Sequence, residues 1–271
     1  MNGMVRSFEV VRVKGERRSA DVDRAATEEP LEIRLHSRPF AVVMRTPGAD
    51  RELAAGFLFA EQVIASADDL GTIEYCTLPS RPETAENIVN VGLTDPARAE
   101  RALDGRRQVT TNSSCGMCGR LTIESLTANA ASIVANWTMP ATVLLRLPER
   151  LRAAQAGFDE TGGLHAAGLF TPDARLADHA EDVGRHNAVD KVIGRMLLRE
   201  LLPLSQHLLC VSGRTSFEIV QKALLAGIPL VAAVSAPSSL AIDLAEESGI
   251  TLVGFVRGDS FNIYTHADRI T

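Results

Sequence analysis

Two cysteines three positions apart, Cys115 and Cys118, sit in the segment TTNSSCGMCGR and are the side chains of this sequence best suited to do chemistry. A C-x-x-C can hold zinc, support a zinc deaminase, or work as a thiolate that exchanges disulfides or carries sulfur. A structural zinc site needs four ligands, and the chain has no second C-x-x-C; Cys76 and Cys210 are far off, and Cys210 lies in an apolar run. Zinc deamination pairs H-x-E with a later P-C-x-x-C. Here two serines precede Cys115, and His165-Ala166-Ala167 lacks the glutamate and falls after the cysteines. Thiol chemistry suits the setting. Gly116 and Gly119 flank the pair ahead of a helix expected from Leu121, with Arg106, Arg107 and Arg120 close in sequence. Helix N-terminal amides and guanidinium groups stabilise the nucleophilic thiolate. The motif alone does not separate redox work from sulfur carriage, and no metal site is expected.

A second kind of chemistry is suggested by three short stretches rich in small hydroxyl residues and glycine. They are Ser212–Ser216 (SGRTS), Ser235–Ser239 (SAPSS) and Val256–Ser260 (VRGDS). Each follows an apolar run that reads as a strand, and the first two open helices. Open amides at helix N-termini favour phosphate, and Arg214 and Arg257 add local positive charge. Any single loop of this kind is explained by Ser and Thr capping a helix. Three on one sheet edge point to a phosphate-bearing ligand. No G-x-x-x-x-G-K-[ST] is present, so P-loop hydrolysis is not implied.

The elements that must position these residues follow from hydrophobic periodicity. The first thirty residues are mixed in charge and suggest an arm or edge strand. Residues 31–35 and 40–44 alternate as a hairpin, Asp50 caps a helix running to about Ile64, and strands are expected over 71–78 and 87–93. Residues 136–148, with Trp137, Pro140 and Pro148, read as a connector, dividing the chain into 1–140 and 141–271. Beyond it come a helix over 148–156, a strand in GLHAAGLF and a long helix over EDVGRHNAVDKVIGRMLLRE. Strands at 207–211, 228–234 and 250–256 then alternate with helices at 215–226 and 238–248, each closed by glycine. Such alternation demands parallel strands with crossover helices, whose ligands bind at the carboxyl ends of the strands. The expected class is α/β: a parallel C-terminal βαβαβ sheet and a smaller N-terminal α+β part.

Composition excludes several functions. Twenty-eight basic against thirty-four acidic residues give a net charge of −6, unsuited to a nucleic-acid surface, and 4% aromatics offer no base-stacking platform. Ala223–Ile242 is uncharged over twenty residues, but Gly227, Pro229 and Pro237 break it, so no membrane span is expected. With no signal-peptide pattern and four cysteines, a cytoplasmic, reduced protein is expected. His165, within an apolar run, reads as a core histidine; Cys76 and Cys210 read as buried small hydrophobes, and Trp137 as packing. Around Asp182, Arg185, His186, Asp190 and Lys191, helix capping by Asp182 and pairing of Asp190 one turn away are the simplest roles.

Several long strings resemble the FdhD family of formate dehydrogenase accessory sulfurtransferases. They are SSCGMCGR, GGLHAAGLF, EDVGRHNAVDK, VSGRTSFEIVQKA, VSAPSSLAIDLAE and ITLVGFVRG with FNIYTH, and the likeness spans about residues 30–268. The resemblance implies a three-layer fold similar to cytidine deaminases, without their active site, in a homodimer. It implies persulfide sulfur taken from a cysteine desulfurase and passed to the molybdenum bis(molybdopterin guanine dinucleotide) cofactor before that cofactor enters formate dehydrogenase. Cys115 matches the persulfide-bearing residue and Cys118 its helper. The cofactor-binding stretch maps to Phe255, Val256, Arg257, Gly258, Asp259 and Ser260. Two other readings stay open at this point: a dithiol–disulfide oxidoreductase, and a cofactor chaperone without sulfur chemistry.

Overall fold

The computed structural model describes residues 3–76, 86–106 and 132–271. Strands β1 (Val5–Lys14) and β2 (Arg17–Ala26) pair along their whole length as an antiparallel hairpin, which is the form the N-terminal arm takes. The expected second hairpin is β3 (Glu29–Leu35) and β4 (Arg38–Arg45), followed by α1 (Asp50–Ala60), β5 (Leu70–Tyr75), β6 (Ile88–Leu93) and α2 (Pro96–Arg106). These strands form a four-stranded sheet in the order β4-β3-β6-β5, with Leu31, Ile33, Leu35, Val89 and Val91 fully buried.

The rest of the chain contributes α3 (Ala141–Leu144), α4 (Leu147–Arg152), α5 (Ala156–Thr161), β7 (His165–Phe170), β8 (Leu176–Asp182) and α6 (Arg185–Leu198). Then follow β9 (Leu208–Val211), α7 (Phe217–Leu225), β10 (Leu230–Ala233), α8 (Ser239–Ser248), β11 (Thr251–Arg257) and β12 (Ser260–Ile263). The six-stranded sheet has the order β12-β11-β10-β9-β7-β8, and β9, β10 and β11 run parallel as the alternation requires. The uncharged stretch 223–242 is divided among α7, β10 and α8. Among the described residues no helix is long and apolar enough to cross a membrane.

Both faces of this sheet are covered, so its strands alternate between two cores. Leu208 and Cys210 join Leu144, Leu147 and Leu151 from the short helices on one side. Leu209 and Val211 face the other side, where α6, α7 and α8 pack, with α1 and the four-stranded sheet beyond them. The tightest contact is the crossing of α1 and α6. A Cβ on Gly56 would lie 2.0 Å from the Asp190 carbonyl oxygen, and one on Gly194 would lie 1.9 Å from that of Glu52. Backbone meets backbone there, and one core runs through residues on both sides of the connector.

Three expected elements come out differently. The helix over 148–156 is two short ones, because Gln155 leaves helical geometry at φ −91° and ψ 70°. The helix expected from Glu181 begins at Arg185: Glu181 and Asp182 end β8, and Gly184 is extended. Asp50 is the first residue of α1 rather than its cap; Arg45 holds both its carboxylate oxygens, at 3.0 and 2.9 Å.

Candidate functional site

The three hydroxyl-rich loops meet at the carboxyl edge of the parallel strands. Thr215 N–H donates to the Ala236 carbonyl at 3.2 Å, Ser238 N–H to that of Thr215 at 3.0 Å, and Phe255 N–H to that of Ser235 at 3.2 Å. Helix capping explains one serine and not the other. Ser238 Oγ accepts the Ala241 N–H and closes α8, whereas Ser216, at the same position of α7, makes no cap. Its hydroxyl sits 2.9 Å from His186 Nε2.

The stretch Phe255–Ser260 is the turn between β11 and β12. The ladder shifts register between Gly254 and Arg257, and Phe255 adopts a left-handed φ of 56°. That conformation is costly for an aromatic residue by about 1 kcal/mol or more, so the surroundings must hold it. A Cβ on Gly254 would meet Pro237 at 2.9 Å and Tyr264 at 3.0 Å, which keeps the strand pressed against the neighbouring loop. Arg257 lies over the Phe255 ring, 5.2 Å from its centroid. Gly258 makes the turn at φ 61°, and Arg257, Gly258, Asp259 and Ser260 are exposed.

Beside this turn is a cavity of about 630 Å³, within the range that holds small ligands. Its walls come from α4 and α5 (Leu151, Arg152, Gln155, Phe158) and the glycine pair Gly162–Gly163. The strand ends supply His165, Ser212, Val234, Val256, Arg257 and Gly258. Glu181 fixes the α5 wall by accepting the Gly157 and Phe158 N–H groups, each at 2.8 Å. His165 therefore lines a cavity instead of filling the core. The cue in the sequence was its place at the start of a strand, one residue past the Gly162–Gly163 pair, with Leu164 between. Burial pushes its imidazole below the usual histidine range, as do the charges of Arg185, His186 and Arg214, against the opposing pull of Asp182.

Behind the edge, α6 and α7 share a ladder of buried charge. His186 Nε2 is also 2.9 Å from Glu218 Oε2, and one turn deeper Lys222 Nζ is 2.6 Å from Asp190 Oδ1. Asp190 is thus paired across the two helices, not along its own. Asp182 does not cap α6 as expected: it accepts the Gly184 N–H at 2.8 Å, a side-chain N–H of Asn187 at 2.9 Å and Lys191 at 2.8 Å. Buried Thr215 Oγ1, Glu218 Oε1 and Arg185 Nε find no partner among the described residues.

Cys115 and Cys118 lie outside the described residues. Cys210 is fully buried and its thiol is pushed up to about 12 by burial, whereas Cys76 is only partly buried, so the expectation of two core cysteines holds for one. Trp137 packs as expected and donates its indole N–H to the Ser205 carbonyl at 2.8 Å.

With this geometry in place, comparison with known proteins gives a consistent picture. The model of the FdhD/NarQ family matches residues 26–271. A sulfur carrier protein FdhD of Streptomyces coelicolor is 52% identical over 266 residues, covering 96% of this chain and 94% of its own. Its namesake in Sulfurisphaera tokodaii is 44% identical over 269 residues, covering 98% and 99%. The crystal structure of a protein described as a formate dehydrogenase accessory protein, from Desulfotalea psychrophila, is 26% identical. It superposes with a TM-score of 0.78 over 99% of this chain and 100% of that one.

Proposed function

We propose a function that proceeds from kinship: the chain belongs to the FdhD/NarQ family, and it acts as a sulfur carrier. Residues 1–140 carry the sulfur on Cys115, and residues 141–271 hold the cargo that receives it. The sulfur donor is the persulfide of a cysteine desulfurase. The cargo is the molybdenum bis(molybdopterin guanine dinucleotide) cofactor, bound as substrate on its way to formate dehydrogenase. The working form is a cytoplasmic homodimer.

In chemical terms the protein is a sulfurtransferase. Cys115 thiolate attacks the outer sulfur of the donor persulfide; that S–S bond breaks and the donor cysteine leaves as thiolate. Cys118 thiolate then attacks the inner sulfur of the Cys115 persulfide. The outer sulfur departs as sulfide toward the cofactor metal, its two electrons supplied by formation of the Cys115–Cys118 disulfide. A cellular thiol reduces that disulfide for the next round. The turn Phe255–Ser260 binds the cofactor: Arg257 faces its phosphates, and exposed Gly258 and Asp259 let the backbone approach.

The observation that carries this reading is the cavity at the carboxyl edge, which Arg257 and Gly258 of that turn help to line. It supports a bound nucleotide-sized cargo, which a simple dithiol oxidoreductase has no need of. The test is intact mass after incubation with a cysteine desulfurase and cysteine. Wild type gains about 32 Da, one sulfur, and Cys115→Ala gains nothing. Absence of any cysteine-dependent adduct on wild type would overturn the sulfur-carrier mechanism. Cys115→Ala protein that still matures formate dehydrogenase would leave a cofactor chaperone in its place.

A further inference from the structure

The β1–β2 hairpin takes no part in the chemistry proposed above. Its ten-residue strands, at about 3.3 Å per residue, make an arm roughly 30 Å long. Its root is anchored: Arg24 pairs with Glu160 at 3.0 Å, and Thr27 N–H donates to the Met4 carbonyl at 2.8 Å. Beyond the root, every residue from 11 to 25 is exposed. Directly paired residues of an antiparallel ribbon share a face. Glu9 lies opposite Val22, Val11 opposite Ala20 and Val13 opposite Arg18, so one face carries a contiguous patch of Val11, Val13, Val22 and Ala20. The three valines are 66%, 58% and 60% exposed. A two-stranded hairpin is marginally stable in water, and a partner covering this face would supply the burial it lacks.

Charge and position say what that partner is. Residues 5–26 hold six basic and four acidic residues, on a chain whose net charge is −6, and Lys14, Arg17 and Arg18 gather at the tip. The arm is thus a basic projection from an acidic body, suited to an acidic surface. Its root lies on the wall of the cargo cavity. A Cβ on Gly163 would lie 3.7 Å from that of Ala26, and Glu160 belongs to α5. Gly163 and Phe158 of α5 line the cavity. We propose that the arm is the docking element for the protein that receives the cargo, gripping an acidic surface with an apolar centre on that protein. The inference rests on the delivery reading above and adds the surface that directs delivery. The tip cations speed and orient the encounter, and the valine face holds the complex. Rooting beside the cavity favours the receiver over the sulfur donor or a second copy, since neither has to meet the cargo.

The test is binding of the full chain to formate dehydrogenase freed of its cofactor, followed by biolayer interferometry. Val11→Ser/Val22→Ser should raise the Kd about tenfold or more, chiefly through faster dissociation. Arg17→Glu/Arg18→Glu should slow association about tenfold at low salt and much less at high salt. Both variants should melt like wild type and still gain one sulfur from the desulfurase. Wild-type Kd in both variants would overturn the docking role and leave the delivery reading standing. Loss of the sulfur adduct in the variants would assign the arm to the sulfur donor. A smaller assembly in sedimentation, for the variants than for wild type, would assign it to a second copy. Either result overturns the proposal. Wild-type protein that does not bind the dehydrogenase would remove the delivery reading and the arm's role with it.

Discussion

Replacing Lys222 by Met should uncover a buried carboxylate and make stability depend on pH in a defined direction. Lys222 Nζ lies 2.6 Å from Asp190 Oδ1, and the two side chains are 10% and 3% exposed. Burial raises the proton affinity of Asp190, Lys222 and His186 oppose that rise, and Glu61 adds to it. Removing one partner of such a pair costs about 3–5 kcal/mol, because the charge left behind is neither solvated nor balanced. Unfolding a chain of 271 residues makes each kcal/mol worth about 2 °C, so Lys222→Met should melt about 6–10 °C lower at neutral pH. A carboxyl whose folded pKa is raised contributes its full stability below the unfolded pKa and loses it as pH rises through the folded value. The deficit should therefore be largest at neutral pH and above, and shrink on acidification as Asp190 takes up a proton. Calorimetric melts of wild type, Lys222→Met and Asp190→Asn/Lys222→Met across pH 5–8 test this. The double variant, with no charge to strand, should recover at least half of the loss. A deficit that is flat with pH, or a double variant as unstable as the single one, would refute the reasoning.

Two further outcomes follow from packing. Gly194→Ala places a methyl group 1.9 Å from the Glu52 carbonyl oxygen and must part α1 from α6. It should cost about 1–3 kcal/mol or more in reversible denaturation, and an unchanged midpoint would contradict the close crossing. Native protein treated with iodoacetamide at pH 8 should be labelled at partly buried Cys76 and spared at Cys210, whose thiol is pushed up to about 12. Peptide mapping that finds both labelled at the same rate would show that Cys210 is reachable.

The regular part of the chain was legible because its signals are local. Apolar runs of strand length separated by glycine-terminated helices fix β9-α7-β10-α8-β11, and Gly227 and Gly249 do take positive φ, 72° and 76°. Strand β8 was hidden because LADHAED has polar residues on both faces and reads as the approach to a helix. The β1–β2 hairpin was hidden for a related reason: it packs on little else, so its residues carry no core pattern. For the site, the hydroxyl-rich loops could be read from composition and strand order. The cavity could not, since its far wall is built by α4 and α5, brought there by the anchoring of Glu181. Gln155 and His165 converge only in three dimensions, and nothing in their sequence spacing announces it.

Sulfur carriage on the proposed terms needs the two parts of the chain held in a fixed relation, since one bears the thiols and the other the cargo. The structure fixes them through a shared apolar core and the crossing of α1 and α6, and beside the carboxyl edge of the sheet it adds polar contacts. Thr46, just after β4, donates its N–H to Asp182 at 3.2 Å, while its carbonyl accepts from Lys191 at 2.8 Å and its hydroxyl oxygen accepts the Val183 N–H at 3.2 Å. Asn187 adds a bond to the Met44 carbonyl at 2.7 Å. Charge and hydrogen bonding fix register more sharply than apolar contact does, because each misplaced partner would strand a buried polar group. The same segment, Asp182–Asn187, carries Arg185 and His186 toward the unclosed N-terminus of α7 and the cavity histidine. Docking of the N-terminal part and the electrostatics of the site therefore both draw on one stretch of six residues, from the end of β8 into the first turn of α6. This accounts for a charged cluster there that neither helix capping nor pairing within one helix explains.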